Sequence, residues 1–115
     1  MTPRDRETLE SIAESARKVG EYVRRVGPAW PADDMAVDAI AKRLEQVGEL
    51  ARRLHPDVLE LMPAVDWRAV KGIREVLAHD YEDVEVEVLK DVLAGELPGL
   101  REAVESILAR SDGAN

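Results

Sequence analysis

Two long stretches of this chain repeat their apolar residues at alternating three- and four-residue spacing. Leu9, Ile12, Ala16, Val19, Val23 and Val26 form the first series; Val37, Ile40, Leu44, Val47, Ala51 and Leu54 form the second. That spacing places each series along one face of a helix. A segment of only ten residues separates them. It carries Gly27-Pro28, Trp30 and Pro31, all residues that end or turn a helix. Two helices with matching seams and a short connection pack antiparallel, as a hairpin or part of a bundle.

Local signals agree. Thr2 can cap the first helix with Pro3 in its first turn, and the carboxylates of Asp33 and Asp34 suit the start of the second. His55-Pro56 closes the second helix, because the residue before proline disfavours the helical region. Pro56–Leu61 reads as one short turn, Asp66–Tyr81 as a single helix with Val70, Ile73 and Leu77 inward, and Val84–Ala94 as another. Gly95 ends the latter, and Pro98 sits in the first turn of a last helix with Leu100, Val104, Ile107 and Leu108 inward. No β-hairpin signal stands out. The core must be built almost without rings, since aromatics are 3% of the residues and Phe is absent. Leu, Val, Ile and Ala suit helix-on-helix packing. The expected fold is therefore an all-α antiparallel bundle of about five to six helices. It forms one domain over residues 1–110, followed by a polar tail, 111–115.

The function classes narrow as well. The 115 residues contain no Cys, so disulfides, thiolate metal sites and Cys nucleophiles are out of reach. No Gly-rich phosphate loop and no Ser nucleophile elbow is present. No apolar run nears the ~20 residues of a membrane span. MTPRDRETLE lacks a signal core, so the expected location is cytoplasmic. A net charge of −8 argues against a general nucleic-acid coat, but leaves room for a small basic site.

The chemistry concentrates in Asp66–Tyr81, which holds Arg74, His79 and Tyr81 as Arg-x4-His-x-Tyr. Arginine presents a planar fork to phosphate oxygens, and histidine moves a proton near neutral pH. Together they are a minimal kit for cutting RNA with the substrate's own 2′-OH as nucleophile. On one helix Arg74 and Tyr81 nearly eclipse, whereas His79 is about 140° from Arg74. Either the Arg74 side chain reaches round, or the helix ends near His79, or a second protomer completes the site, which fits a twofold dimer. The same residues also suit an unspecialised helix, with His79 on backbone, Arg74 solvated and Tyr81 packed.

Other groups read more plainly. Arg68, Lys71 and Arg74 recur every third residue and suggest a local phosphate track for RNA. The pairs Arg17-Lys18, Arg24-Arg25 and Arg52-Arg53 read as solvated faces, Arg52-Arg53 also complementing the helix dipole. Glu49 is either a partner that orients Arg74 or a surface salt bridge. Glu75 and His79 share a face, but no second Glu-x-x-His pair supports a metal site. His55 reads as structural, and Tyr22 and Trp30 as packing residues. The acidic run Glu82–Glu87 reads as solvated or as a contact for a basic partner surface.

The segment REVLAHDY, Arg74–Tyr81, resembles the signature of the HepT-like toxins of the HEPN superfamily: Arg, four to six residues, His, any residue, Tyr. Asp66-Trp67-Arg68 and Gly72-Ile73-Arg74 resemble the approach to that motif. Ala36–Leu54, with Gly48-Glu49, resembles the family's second helix, and Val88–Leu108, with Leu97-Pro98-x-Leu100, its last two. The resemblance implies a HEPN-like bundle that dimerises through the helices around the motif. It implies a metal-independent endoribonuclease without a cofactor, with Arg74 and His79 from two protomers meeting in a cleft. It further implies a partner, a small MntA-type nucleotidyltransferase antitoxin, that uses ATP and Mg²⁺ to add AMP to Tyr81 and so blocks RNA. The sequence departs from the family at Glu75, where a small polar residue, often Asn, is usual. A carboxylate there is expected to repel phosphate or to pair with Arg74. The alternative is a non-catalytic dimeric helical module that docks a nucleotidyltransferase.

Overall fold

The computed structural model describes residues 1–77 and 85–113. Helix α1, Pro3–Val26, opens with a capping box: the Thr2 hydroxyl accepts from the Asp5 N–H at 3.0 Å, and the Asp5 carboxylate faces the Thr2 N–H at 3.5 Å. It stops at Gly27, whose φ of 84° is open to glycine and strained for other residues. A 3-10 turn, Trp30–Ala32, buries Trp30 and leads into α2, Asp34–Arg52, capped by Asp33 through the Ala36 N–H at 2.9 Å. The expected stripe of α2 is buried from Val37 to Leu54; that of α1 is buried from Leu9 to Val19 and surfaces at Val26.

Short helices follow: α3, Pro56–Glu60, then α4, Trp67–Lys71, and α5, Ile73–Leu77. The last two correct the expectation of one unbroken helix from Asp66. The chain bends at Gly72, whose N–H is shared between the carbonyls of Arg68 (3.1 Å) and Ala69 (3.2 Å), a tightening of the helical turn. The remainder of the expected helix, His79 and Tyr81 included, lies outside the described residues. Helix α6, Val86–Ala94, and helix α7, Glu96–Gly113, complete the fold. Pro98 falls in the first turn of α7 as expected. The helix runs on through Ser111, where a polar tail was expected, and the Arg6 guanidinium donates to the Ser111 hydroxyl at 2.9 Å.

The described elements form an all-helical bundle in which α1 packs on α2 and α7, α2 on α4 and α5, α5 on α6, and α6 on α7. Each neighbour hides one apolar stripe, so the core is a continuous set of Leu, Ile, Val and Ala side chains, joined by Trp30 and Met62. No helix among the described residues is long and apolar enough to cross a membrane.

A close helix-to-helix approach bearing on the motif lies at Gly48. A Cβ there would sit 3.1 Å from the Val70 carbonyl oxygen and 3.7 Å from the Ile73 Cβ. An added Cβ at Gly72 would meet only α4's own carbonyls, the nearer being Arg68 O at 3.3 Å. Gly48 is therefore the residue that lets α2 lie against the α4–α5 junction.

Candidate active site

Val70, Ile73 and Leu77 anchor the motif segment in the core, which leaves Arg74, Glu75 and Val76 exposed. Successive helical residues point about 100° apart. Arg74 and Glu75 consequently fall on opposite sides of the contact with α2, and the adjacent arginines of α2 divide in the same way. Arg53 and Arg74 line a polar groove between α1 and α2. Arg52 and Glu75 line a second groove on the other side.

Glu75 bonds Arg52, not Arg74. The Arg52 Nη2 lies 3.2 Å from Glu75 Oε1 and donates to the Lys71 carbonyl at 2.9 Å. One guanidinium thus grips the backbone at the helix break and the carboxylate one turn later. Sequence reading had assigned Arg52 to a solvated face. No local pattern points to a pairing across 23 residues.

The expected phosphate track divides as well. Arg68 and Lys71 share the groove of Arg52 and Glu75, whereas Arg74 does not. A step of three residues turns back about 60°, so Arg74 is about 120° from Arg68 around the axis. Glu49, read either as a partner that orients Arg74 or as a surface salt bridge, lines the same groove but makes no hydrogen bond or ion pair to Arg74. Arg74 has no such partner among the described residues. His79 and Tyr81, and with them the Glu75–His79 pairing and the acids Glu82 and Asp83, lie outside the described residues.

His55 has the structural role read from its sequence, through a partner that sequence did not reveal. Its Nδ1 lies 2.8 Å from Asp5 Oδ2, and its backbone N–H donates to Asp5 Oδ1 at 3.3 Å. A carboxylate only accepts, so the ring proton sits on Nδ1. Asp5 is buried, with 2% of its surface exposed. Burial pushes its carboxyl up, but hydrogen bonds from the His55 ring, the Thr2 hydroxyl and the backbone N–H groups of His55 and Thr2 outweigh this and hold it below the usual carboxylate value. One carboxylate therefore joins the starts of α1 and α3. Along α1, Arg17 clasps Glu14 at 2.8 and 3.1 Å and lowers its carboxyl.

The arrangement offers an exposed, uncommitted guanidinium on a well-anchored helix, beside an open groove of about 870 Å³. Such a group suits an anionic oxygen. A family model described as HepT-like, Ribonuclease HepT-like, matches residues 12–107, which takes in the whole motif and the lining of the groove apart from Glu10 and Ser11. No solved structure matches the chain significantly.

Proposed function

The chain belongs to the HepT-like ribonuclease family, and on that premise we propose that it is the toxin of a toxin–antitoxin pair, a metal-independent endoribonuclease. Arg74 and His79, from two protomers of a homodimer, serve one scissile phosphate. The substrate 2′-OH attacks phosphorus and the 5′-oxygen of the next nucleotide leaves, giving a 2′,3′-cyclic phosphate and a 5′-OH. Arg74 stabilises the charge on the phosphorane oxygens, and His79 moves the proton between the two oxygens. Arg68 and Lys71 hold flanking phosphates.

The observation that supports this reading is the state of Arg74: exposed, without a hydrogen-bond or ion-pair partner among the described residues, and relieved of the neighbouring carboxylate by Arg52. The partner antitoxin is a nucleotidyltransferase that transfers AMP from ATP to the Tyr81 hydroxyl and releases pyrophosphate. The added phosphate puts bulk and negative charge beside Arg74 and His79. Both proteins act in the cytoplasm.

The test is RNA cleavage in EDTA by the parent and by Arg74→Ala and His79→Ala dimers. Each substitution is expected to lower the rate by roughly 10²-fold or more while the fold persists. A His79→Ala protein as active as the parent overturns the mechanism.

A further inference from the structure

The groove between α1 and α2 holds more cationic groups than Arg74. Lys42 and Arg43 of α2, and Arg53 at its C-terminal cap, line it too. None of these four side chains has a hydrogen bond or ion pair among the described residues. The opposite wall carries acids that are already engaged within α1. Glu10 lies 3.4 Å from Arg6, and Glu14 is clasped by Arg17. The remaining carboxylates in the groove, Glu45 and Glu49, have no hydrogen bond or ion pair among the described residues. Among the described residues the groove therefore presents four cations without a hydrogen bond or ion pair against two such anions, on a chain whose overall charge is −8.

Its length suits a strand. Lys42, Gln46, Glu49 and Arg53 follow one another at four-, three- and four-residue steps, a single stripe of α2 that spans roughly 16 Å. A stacked strand carries one phosphate per roughly 3.4 Å of helix axis, so a few phosphates fit alongside. Arg74 enters beside the C-terminal half of α2, where α5 packs near Gly48. The acid next to Arg74 in the chain is held in the opposite groove by Arg52.

We infer that the α1–α2 groove is the track for the RNA strand leading to Arg74, with Lys42 and Arg53 contacting its phosphates. The inference rests on the ribonuclease reading, and it adds a second set of contacts to Arg68 and Lys71. The two open carboxylates, Glu45 and Glu49, repel the same strand and keep non-specific binding weak.

The experiment is binding of a labelled, fully 2′-O-methylated single-stranded RNA of about 12 nucleotides, which cannot be cleaved. Affinity is followed by anisotropy between about 50 and about 200 mM KCl. Lys42→Gln/Arg53→Gln is expected to bind roughly tenfold more weakly at the lower salt and to flatten the salt slope by about 1.4, two phosphate contacts' worth for a single strand. The charge-matched Arg24→Gln/Arg110→Gln, altered at exposed positions away from the groove, is expected to bind like the parent. Glu45→Gln/Glu49→Gln is expected to bind more tightly, a gain that misfolding does not produce.

A groove variant that matches the charge-matched control overturns the track. If that protein also still cleaves RNA with an unchanged KM, the ribonuclease reading stands and the track alone is wrong. A parent that neither binds nor cleaves single-stranded RNA overturns both.

Discussion

Arg52 and Glu75 meet at 3.2 Å across the end of α2, and the same guanidinium nitrogen reaches the Lys71 carbonyl at 2.9 Å. The pair is half-exposed, so its direct contribution to stability is small. Its consequence is directional: it retains a carboxylate on one side of α5 while Arg74 occupies the other.

Removing the retaining charge is expected to impair Arg74 without unfolding the chain. Arg52→Ala frees Glu75 to pair with Arg74 or to repel phosphate. An exposed ion pair is worth up to about 1 kcal/mol, which corresponds to roughly a fivefold fall in kcat/KM for RNA cleavage. Adding Glu75→Gln to that variant is expected to restore the rate. A double variant as slow as Arg52→Ala alone would show that Arg52 acts otherwise.

Tyr81 is tested by mass rather than by rate. After incubation with the partner nucleotidyltransferase, ATP and Mg²⁺, the parent is expected to gain the mass of one or more AMP groups. Tyr81→Phe is expected to gain none, and to go on cleaving RNA after the same treatment. Modification of the Phe variant to the parent's extent would move the acceptor elsewhere.

Gly48→Ala places a methyl group 3.1 Å from the Val70 carbonyl oxygen, at a backbone that cannot swing aside as a flexible side chain can. Overpacking of this kind costs about 1–3 kcal/mol. A lower urea midpoint with an unchanged m-value is the expected result. The α4–α5 junction should shift with it, so cleavage is expected to fall at a temperature where the variant is still folded.

Acid should loosen the link between the starts of α1 and α3. The Asp5 carboxyl is held below its ordinary value in the folded chain. Its contribution is therefore complete above the unfolded value, about 3.9, and is lost as pH falls through the lower folded value. The urea midpoint of the parent is expected to drop on acidification below about pH 4 more steeply than that of Asp5→Asn, which has no charge to lose. At pH 7 Asp5→Asn is expected to be the less stable of the two, because the Thr2 and His55 donors then face a neutral amide. Parallel pH profiles would remove Asp5 from the acid response.

Much of the architecture is legible along the chain, since it depends on neighbours a few residues apart. The stripes of α2 and α7, the caps at Thr2, Asp33 and Asp66, and the stop at Gly27 all follow from helical spacing and from what a helix end leaves unbonded. Arg74 is legible too, as a charged residue on the outward face of an anchored segment. Its surroundings are not. Asp5–His55 and Arg52–Glu75 join residues 50 and 23 positions apart, and neither leaves a periodic trace.

The three-residue spacing of Arg68, Lys71 and Arg74 reads as one phosphate track, yet which neighbours each finds depends on where α2 lies. The amino-acid sequence by itself determined that the chain folds as helices around an aliphatic core, and that Arg74 lies on the outward face of the motif segment. Only the tertiary structure decided that Glu75 is held by Arg52 and that Arg74 faces the α1–α2 groove. The physical reason is that a stripe specifies the face a helix buries. The register and closeness of packing, set here by the missing side chain of Gly48, decide which exposed groups meet.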